Sequence, residues 1–501
     1  MRRNIPLWII FIGAILFALF FHMKPLGVNL LLFNAFILGI WLFFRRINFH
    51  NFHHVVLFFG TLLSAGFSVI TNSALAIFMN YLSMILLSAA AVFPETRSII
   101  HLIGINILNV FYGFQEFFQR LRRVDEKPGK FRKFWKWAKI SAIPIVIILI
   151  FVAIYRGASP WFDKMAGGFF ESIGNALTSI FGEIDWWWIA TAFIGFLFLV
   201  FLLFGKANTD IVKSEMKSKD VLFRKRTNRI FRGKKTGLKA EFRSAFLLLV
   251  GLNFVLLIVN ALDVINVWFG FDWEGGYLKQ FVHEGTWLLI FSILISIAII
   301  LFYFRRNLNF LRKNKGLKIV TYVWLIQNIV LAVSVLIRNM HYIDYFNLAY
   351  KRIGVIFFLV AVIVGLIIVI VKIRNPKTAF FLLRYNALSV YLIFLSMSFF
   401  NWDVIIARHN FNHFDTAFVH YNYLASLDEK SLPWLEMEPE TLQEIDAMQF
   451  QQFDFTLNYM SSARYYSRIQ DDIDRFLENY PERHWLSWNY ADHRAYRMLS
   501  E

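Results

Sequence analysis

The stretch KANTDIVKSEMKSKDVLFRKRTNRIFRGKKTGLKAEFR, residues 206–243, decides how this chain is organised. It holds thirteen lysines and arginines against four acids and lies between two long apolar runs. A segment this cationic, tethered to membrane spans at both ends, stays in the cytoplasm because moving it across a bilayer is costly. Its position therefore predicts the orientation of the rest of the chain.

The composition predicts an all-α, polytopic transmembrane bundle. Of the 501 residues, 58% are hydrophobic, whereas a soluble domain contains roughly 45–50%. Eleven apolar segments approach the ~20 residues that cross a bilayer, and ten to twelve spans agree with the pattern. The segments are 7–22, 27–44, 55–70, 74–93, 139–155, 186–204, 244–262, 286–304, 319–337, 353–371 and 379–399.

The net charge of +18 does not predict nucleic-acid binding. The basic residues flank the spans, where they set orientation and contact anionic lipid headgroups. Residues 401–501 are different, with 17 acids and 8 bases. The chain has no cysteine, which excludes disulfides, thiolate metal sites and cysteine nucleophiles.

Residues 98–123 are predicted to form an amphipathic helix in the membrane interface. Ile99, Ile103 and Ile107 begin one apolar stripe, while Asn109 and Arg120 fall on the opposite side. If this helix crossed the bilayer, a following loop with nine bases and two acids would lie outside. The sequence still leaves the crossing alternative open.

Eleven spans that begin in the cytoplasm place the acidic tail outside the cell membrane. The predicted parts are a four-span region at 1–93, a cytoplasmic amphipathic helix and basic loop at 94–138, a seven-span region at 139–400, and a helical extracytoplasmic tail at 401–501. Residues 169–184 predict a second interfacial helix, on the outer face. The predicted location is a bacterial inner membrane, with the N-terminus cytoplasmic and the C-terminus extracytoplasmic.

The middle of every predicted span lacks Asp, Glu, Lys, Arg and His. Proton-coupled transporters keep titratable groups at that depth, so this absence disfavours them. Arg384 is the nearest exception and is expected to extend to the inner interface. Four amides remain, which either join helices or line a transport cavity: Asn253, Asn260, Gln327 and Asn328.

Two weaker patterns carry possible chemistry. Asp263, Asp272, His283 and Glu284 surround one outer loop, where paired carboxylates could act as acid and base in a membrane transferase. His409 and His413 have a spacing compatible with zinc, but no accompanying glutamate motif. We predict no catalytic, cofactor-binding or metal-binding residue from either pattern.

Several elements of the second half are similar to those of a known family. They are Tyr277–Trp287 (Y-V-x-E-G-F-W), Arg338–Arg352 (R-x-x-x-Y-I-x-x-Y-G-L-T-x-x-R), Ile406–Asn410 (I-A-R-x-N), Tyr423–Leu435 (Y-L-x-x-L-S-x-D-A-V-P-x-L) and Trp485–Asn489 (W-x-x-W-N). Together they resemble a bacterial family of multi-pass membrane proteins known only as a domain of unknown function, over roughly residues 240–500. The chain departs from the family pattern at three positions. It has Asn347 and Ala349 where the family has Gly and Thr, and Lys430 where the family has Asp. The resemblance implies no substrate or reaction.

The matched polar residues predict a cluster at the outer ends of the late spans: Glu284, Arg338, Tyr342, Arg352, Arg408 and Asn410. Glu284 could pair with an arginine and brace the tail on the membrane region. Alternatively, the three arginines could form an outward-facing site for an anion or headgroup. The predicted function is non-catalytic binding, scaffolding or sensing, with a possible protein partner at the tail. The first alternative is a transporter, or a protein that handles lipids or envelope precursors. The second alternative is a membrane transferase.

Overall fold

The computed structural model describes residues 4–124, 185–205, 210–224, 237–270, 286–304, 307–311, 314–453 and 460–501, with a few separate positions between 144 and 168. The described part is all-helical, as predicted. Its one β-type contact is an isolated bridge between Val221 and Lys377.

Twelve α-helices precede the tail in the described part of the chain. They are α1 (Trp8–Phe21), α2 (Val28–Phe43), α3 (Phe52–Thr71), α4 (Ala74–Val92), α5 (Ile99–Val124), α6 (Trp186–Leu203), α7 (Asp210–Lys217), α8 (Gly237–Asp263), α9 (Thr286–Tyr303), α10 (Lys315–Phe346), α11 (Tyr350–Arg374) and α12 (Ala379–Met397). A π-helical segment, Val264–Phe269, continues α8.

Seven of these helices are long and apolar enough to cross a membrane, namely α3, α4, α6, α8 with its extension, α10, α11 and α12. Three shorter apolar helices lie at Trp8–Phe21, Val28–Phe43 and Trp287–Tyr303. All coincide with predicted segments, and together they are consistent with a multi-pass membrane protein. The remaining predicted span, 139–155, and the predicted outer helix 169–184 lie almost wholly outside the described residues.

Helix α5 occupies the segment predicted as amphipathic and is not among the candidate spans. Asn109 on its predicted polar side, however, is buried. Asn109 is 2% exposed, and its amide donates to the Phe204 carbonyl at 3.1 Å, whereas Ile107 is 65% exposed. The asparagine packs inside the protein because its amide can satisfy a free helix-end carbonyl there.

The chain divides into two compact units. The smaller comprises Arg2–Met23 and Leu108–Lys206, and in it α1 packs on α6. Gly195 permits this contact, because a β-carbon there would lie 2.6 Å from that of Phe17. His22 and Asp185 join the ends of the two helices at 2.9 Å.

The larger unit comprises Lys24–Ile107 and Ala207–Glu501 and includes the tail. The tail is helical at α13 (Trp402–Asn412), α14 (Tyr421–Leu424), α15 (Leu432–Leu435), α16 (Pro439–Gln452), α17 (Ser462–Asn479) and α18 (Tyr490–Ser500). Its apolar core also contains Ile343, Ile353 and Met397, near the ends of α10, α11 and α12, and Leu348 in the connection between α10 and α11. The tail therefore shares a core with the membrane helices, as expected for a region too small to build a large core alone.

The tail and the basic segment contact opposite ends of the same helices. At the start of α12, the Thr378 hydroxyl donates to the Lys219 carbonyl at 2.7 Å. There the Arg384 guanidinium donates to His53 at 2.7 Å and to Asp220 of the basic segment at 3.1 Å. The tail begins at the other end of α12, which has 19 residues and is therefore ~28 Å long.

Candidate functional site

A buried lysine lies where the tail meets the membrane helices. The side chain of Lys430 is 1% exposed. Its ammonium lies 2.7 Å from an Asp428 oxygen and 2.9 Å from an Asp403 oxygen, and donates to the Asn72 carbonyl at 2.8 Å. All three N–H donors of the ammonium thus have an acceptor, which is the condition under which a buried charge is tolerated.

Each partner of Lys430 is positioned by a local structural signal. Asn72 adopts the left-handed conformation, with φ 44°, in the short turn between α3 and α4. Asp403 lies in the first turn of α13, which the Asn401 side chain caps. Asp428 caps the 3₁₀ turn Glu429–Ser431 that carries the lysine. The lysine therefore joins the N-terminal spans, the end of α12 and the tail.

The second oxygen of Asp403 is also occupied. The Tyr350 hydroxyl donates to it at 2.7 Å, and the Tyr350 backbone N–H donates to the Tyr423 hydroxyl at 2.9 Å. Tyr350 is the first residue of α11, so this span is connected to the same group. We call Asn72, Tyr350, Asp403, Asp428 and Lys430 the Lys430 cluster.

The electrostatics of the cluster favour a charged lysine. Burial opposes the charge, but Asp403 and Asp428 outweigh it and raise the pKa of the Lys430 ammonium. A lysine that acts as a general base or forms a Schiff base needs a lowered pKa instead. The cluster therefore has the properties of a structural ion network and not those of a catalytic one.

A second ion network extends the first across the tail. Arg483 contacts Glu429 at 2.6 Å and Asp492 at 2.8 Å. Asp492 also accepts hydrogen bonds from the side-chain amides of Asn72, at 3.2 Å, and Asn489, at 2.8 Å. Asn72 thus uses both its carbonyl and its amide to hold the tail on the turn between α3 and α4.

An open cleft of about 630 Å³ lies beside the Lys430 cluster. Tyr350 of α11 and Asp403 of α13 line this cleft. Arg468, Asp472 and Arg475 of α17 line it as well. The volume lies within the ~300–1,000 Å³ typical of ligand sites. The alternation of positive and negative side chains suits a partner that carries both signs of charge.

The structure distributes the predicted outer-face cluster over separate contacts. Arg338 is buried and forms an ion pair with Asp263. The Arg352 guanidinium lies 4.6 Å from the centre of the Tyr342 ring and donates to the Phe346 and Asn347 carbonyls. Two of the predicted arginines are therefore engaged inside the protein: Arg338 joins α10 to α8, and Arg352 braces the α10–α11 junction.

The other predicted residues have different surroundings. Asn410 makes two hydrogen bonds to the Leu348 backbone, accepting at 2.9 Å and donating at 3.1 Å. Arg408 is exposed on α13, and its side chain forms no hydrogen bond or ion pair within the described part of the chain. Glu284 lies outside the described residues. The structure brings together Tyr342 and Arg352, and Asn410 of α13 bonds to Leu348 in the connection between α10 and α11.

Asn347 explains one departure from the family pattern. Its φ of 65° lies in the region that favours glycine, and its amide donates to the Asn410 carbonyl at 3.2 Å. Asn347→Ala and Asn347→Gly both lose these bonds, but only glycine relieves the strain on the β-carbon. We expect the glycine variant to be more stable than the alanine variant by about 1–2 kcal/mol. Thermal unfolding in detergent measures the difference. Equal stability, or a more stable alanine variant, would show that the strain is absent.

Three of the four membrane amides join helices α8 and α10. The Asn253 amide donates to the Val320 carbonyl at 3.1 Å, and Gln327 donates to the Asn253 side chain at 2.8 Å. Asn260 donates to the Gln327 carbonyl at 3.0 Å, while Asn328 bonds within α10. This arrangement is interhelical hydrogen bonding. Helices α8 and α10 also run continuously past these amides, unlike the broken helices of transport sites.

The weaker chemical patterns are not assembled in the described part of the chain. Asp263 forms an ion pair with Arg338. Asp272, His283 and Glu284 lie outside the described residues. The rings of His409 and His413 stack at 4.2 Å. No group of three His, Asp or Glu that could hold a metal ion occurs among the described residues.

Comparison with known proteins gives one match. A family model described as a domain of unknown function, DUF4153, matches residues 56–438. The chain belongs to the DUF4153 family. This confirms the resemblance, and the match begins well before residue 240 and ends before Trp485–Asn489. No curated protein and no solved structure matches the chain. The DUF4153 segment includes every member of the Lys430 cluster.

Sequence reasoning noticed Lys430 only as a departure from the family. The available signal was local: a lysine follows two acids and precedes Leu432 and Leu435 in an otherwise apolar stretch. Charged residues are rarely buried unless they are paired. The pairing with Asn72, which is 358 positions away, had no counterpart in the sequence pattern.

Proposed function

We propose that this DUF4153 protein is a non-catalytic binding protein of a bacterial inner membrane, with its tail held as a rigid platform on the extracytoplasmic face. The observation that carries the proposal is the contact of the tail and the basic segment with opposite ends of α3 and α12. Basic connectors remain cytoplasmic. The tail then lies on the far side, with eleven spans preceding it.

The helix ends at the tail agree with this arrangement. The Val28 N–H at the start of α2 donates to the Trp488 carbonyl at 3.0 Å. The end of α3, the end of α10 and the start of α11 also contact the tail, at Asn72, Tyr345 and Tyr350. Helices that alternate in direction across a bilayer would present these termini on one face.

The cleft beside the Lys430 cluster is the proposed binding site. Its wall combines Tyr350 from a membrane helix with Arg468 and Arg475 from the tail, so an occupant would contact both parts. The partner we propose is an extracytoplasmic protein segment that carries both acidic and basic side chains. On the opposite face, the basic connectors would contact anionic lipid headgroups.

The rival function, transport or lipid handling, requires a polar path near the middle of the membrane. The mutual hydrogen bonds of Asn253, Asn260 and Gln327 favour a packed interface instead. A transferase would need free outer-loop carboxylates, and Asp263 is already paired with Arg338. These contacts support the binding protein over both alternatives.

Two measurements test the proposal. A C-terminal reporter that is active only outside the cytoplasm should be active, and the same reporter after Lys219 should be silent. A photo-crosslinking residue at Arg475, in the cleft, should capture a protein that the same residue at Glu478 does not. Arg468→Glu, introduced into the chain that carries the crosslinker at position 475, should abolish the capture. Reversed reporter signals, or identical products at both positions, would refute the proposal.

A further inference from the structure

A second, smaller groove of about 270 Å³ is also lined by Lys430. Ile70 at the end of α3 and Phe399 and Phe400 after α12 contribute to its lining. Tyr490 and Arg494 of α18 line it as well. Because α3 and α12 are candidate spans, their last residues mark where the hydrocarbon ends and the headgroup layer begins.

The surface around this groove is apolar and aromatic. Ile70, Phe399 and Tyr490 are each about half exposed, at 48%, 52% and 49%. Trp485 and Trp488, just before α18, are exposed as well. Aromatic side chains at the end of a span are typical of the membrane–water boundary, where their rings lie among lipid headgroups. The groove therefore opens towards lipid.

Arg494 is the groove's exposed cation. Its guanidinium stacks on the Trp434 ring, 5.2 Å from the ring centre, and forms no ion pair within the described part of the chain. Its neighbours on the tail differ, since Arg497 pairs with Glu501 and Arg483 with Asp492. Lys430, the other cation of the groove, already forms ion pairs with Asp403 and Asp428. Arg494 is thus oriented by stacking, with its N–H donors available.

We propose that this groove binds the headgroup of an anionic glycerophospholipid. A guanidinium donates two parallel hydrogen bonds to a phosphate, which gives the contact both strength and orientation. The apolar wall at Ile70 and Phe399 would lie along the first part of the acyl chains. The volume, below the ~300 Å³ of ordinary ligand pockets, suits a headgroup and not a whole lipid. A membrane phospholipid carries both the phosphate and the acyl chains in one molecule.

The test uses the full chain, purified in detergent, with phosphatidylglycerol or phosphatidylcholine added. Native mass spectrometry counts bound lipid, and thermal unfolding measures the stabilisation that a ligand confers on the folded state. Arg494→Gln should weaken phosphatidylglycerol binding about tenfold, corresponding to one charge-assisted contact. Arg497→Gln removes the same charge from the same helix, away from the groove, and should bind like the wild type.

Two further experiments test the groove itself and distinguish a lipid from a free phosphate. Val404→Trp, which fills the groove without altering charge, should also lose phosphatidylglycerol selectivity. Glycerol phosphate, the soluble headgroup alone, should give no stabilisation because it lacks acyl chains. The proposal fails if Arg494→Gln and Arg497→Gln behave alike, if Val404→Trp retains selectivity, or if phosphatidylcholine binds the wild type equally well. Unfolding of each variant without lipid serves as the baseline, because it shows that the variant is folded.

Discussion

Lys430→Met should lower the free energy of unfolding by about 3–5 kcal/mol, since breaking a buried ion pair leaves the other charge uncompensated. Asp403, which is 5% exposed, would remain buried, and within the described part of the chain the Tyr350 hydroxyl would be its one remaining side-chain donor. The measurement is equilibrium unfolding in mixed micelles, followed by the fluorescence of the tail tryptophans. We expect this to be one of the two largest single-residue effects in the chain.

A matched set of variants separates charge from packing at this site. Lys430→Met with Asp403→Asn should regain much of the lost stability, because the uncompensated charge is then removed. Asp428→Asn should cost less than about 1 kcal/mol, since half of this side chain is exposed to solvent. Exposed Lys213→Met serves as the control. If Lys430→Met unfolds like Lys213→Met, the cluster does not stabilise the tail.

Arg338→Leu is expected to have a comparable effect, again about 3–5 kcal/mol. Its side chain and that of Asp263 are 8% and 7% exposed, and their ion pair joins α8 to α10. The same equilibrium unfolding measures the change. Arg338→Leu with Asp263→Asn should be markedly more stable than Arg338→Leu alone. An equal loss in both variants would mean that packing, and not the ion pair, holds the two helices together.

The two ion pairs should also act independently. The Lys430 cluster joins the tail to the turn between α3 and α4, whereas Arg338 and Asp263 join two membrane helices. The two sets share no residue, and effects at sites without shared partners usually add within ~0.5 kcal/mol. The stability losses at the two sites should therefore sum in the variant that combines them.

The buried ion pairs also show what the predicted arginines do. The sequence suggested that Arg338, Arg352 and Arg408 could form one anion site. Arg338 and Arg352 instead have internal partners, and Arg408 lies exposed on α13. Arg494, in a part of the tail that the resemblance did not emphasise, is exposed and stacks on the Trp434 ring.

The sequence by itself determined the helices and the membrane class. A span is recognised from the length and polarity of one continuous segment, so α3, α4 and α10–α12 could be located without any knowledge of their neighbours. The helix over residues 98–123 could likewise be predicted from the spacing of apolar residues within that segment alone. Family membership followed from short elements in a fixed order, such as Ile406–Asn410, and the family match confirmed it.

Only the tertiary structure decided which charges meet. Lys430 reaches Asn72 across 358 positions, and Arg338 reaches Asp263 across 75. It also decided that Asn109 faces the protein and that Arg494 stacks on Trp434 without an acidic partner in the described part of the chain. Hydropathy is a property of a single segment, whereas an ion pair requires two segments that packing brings together.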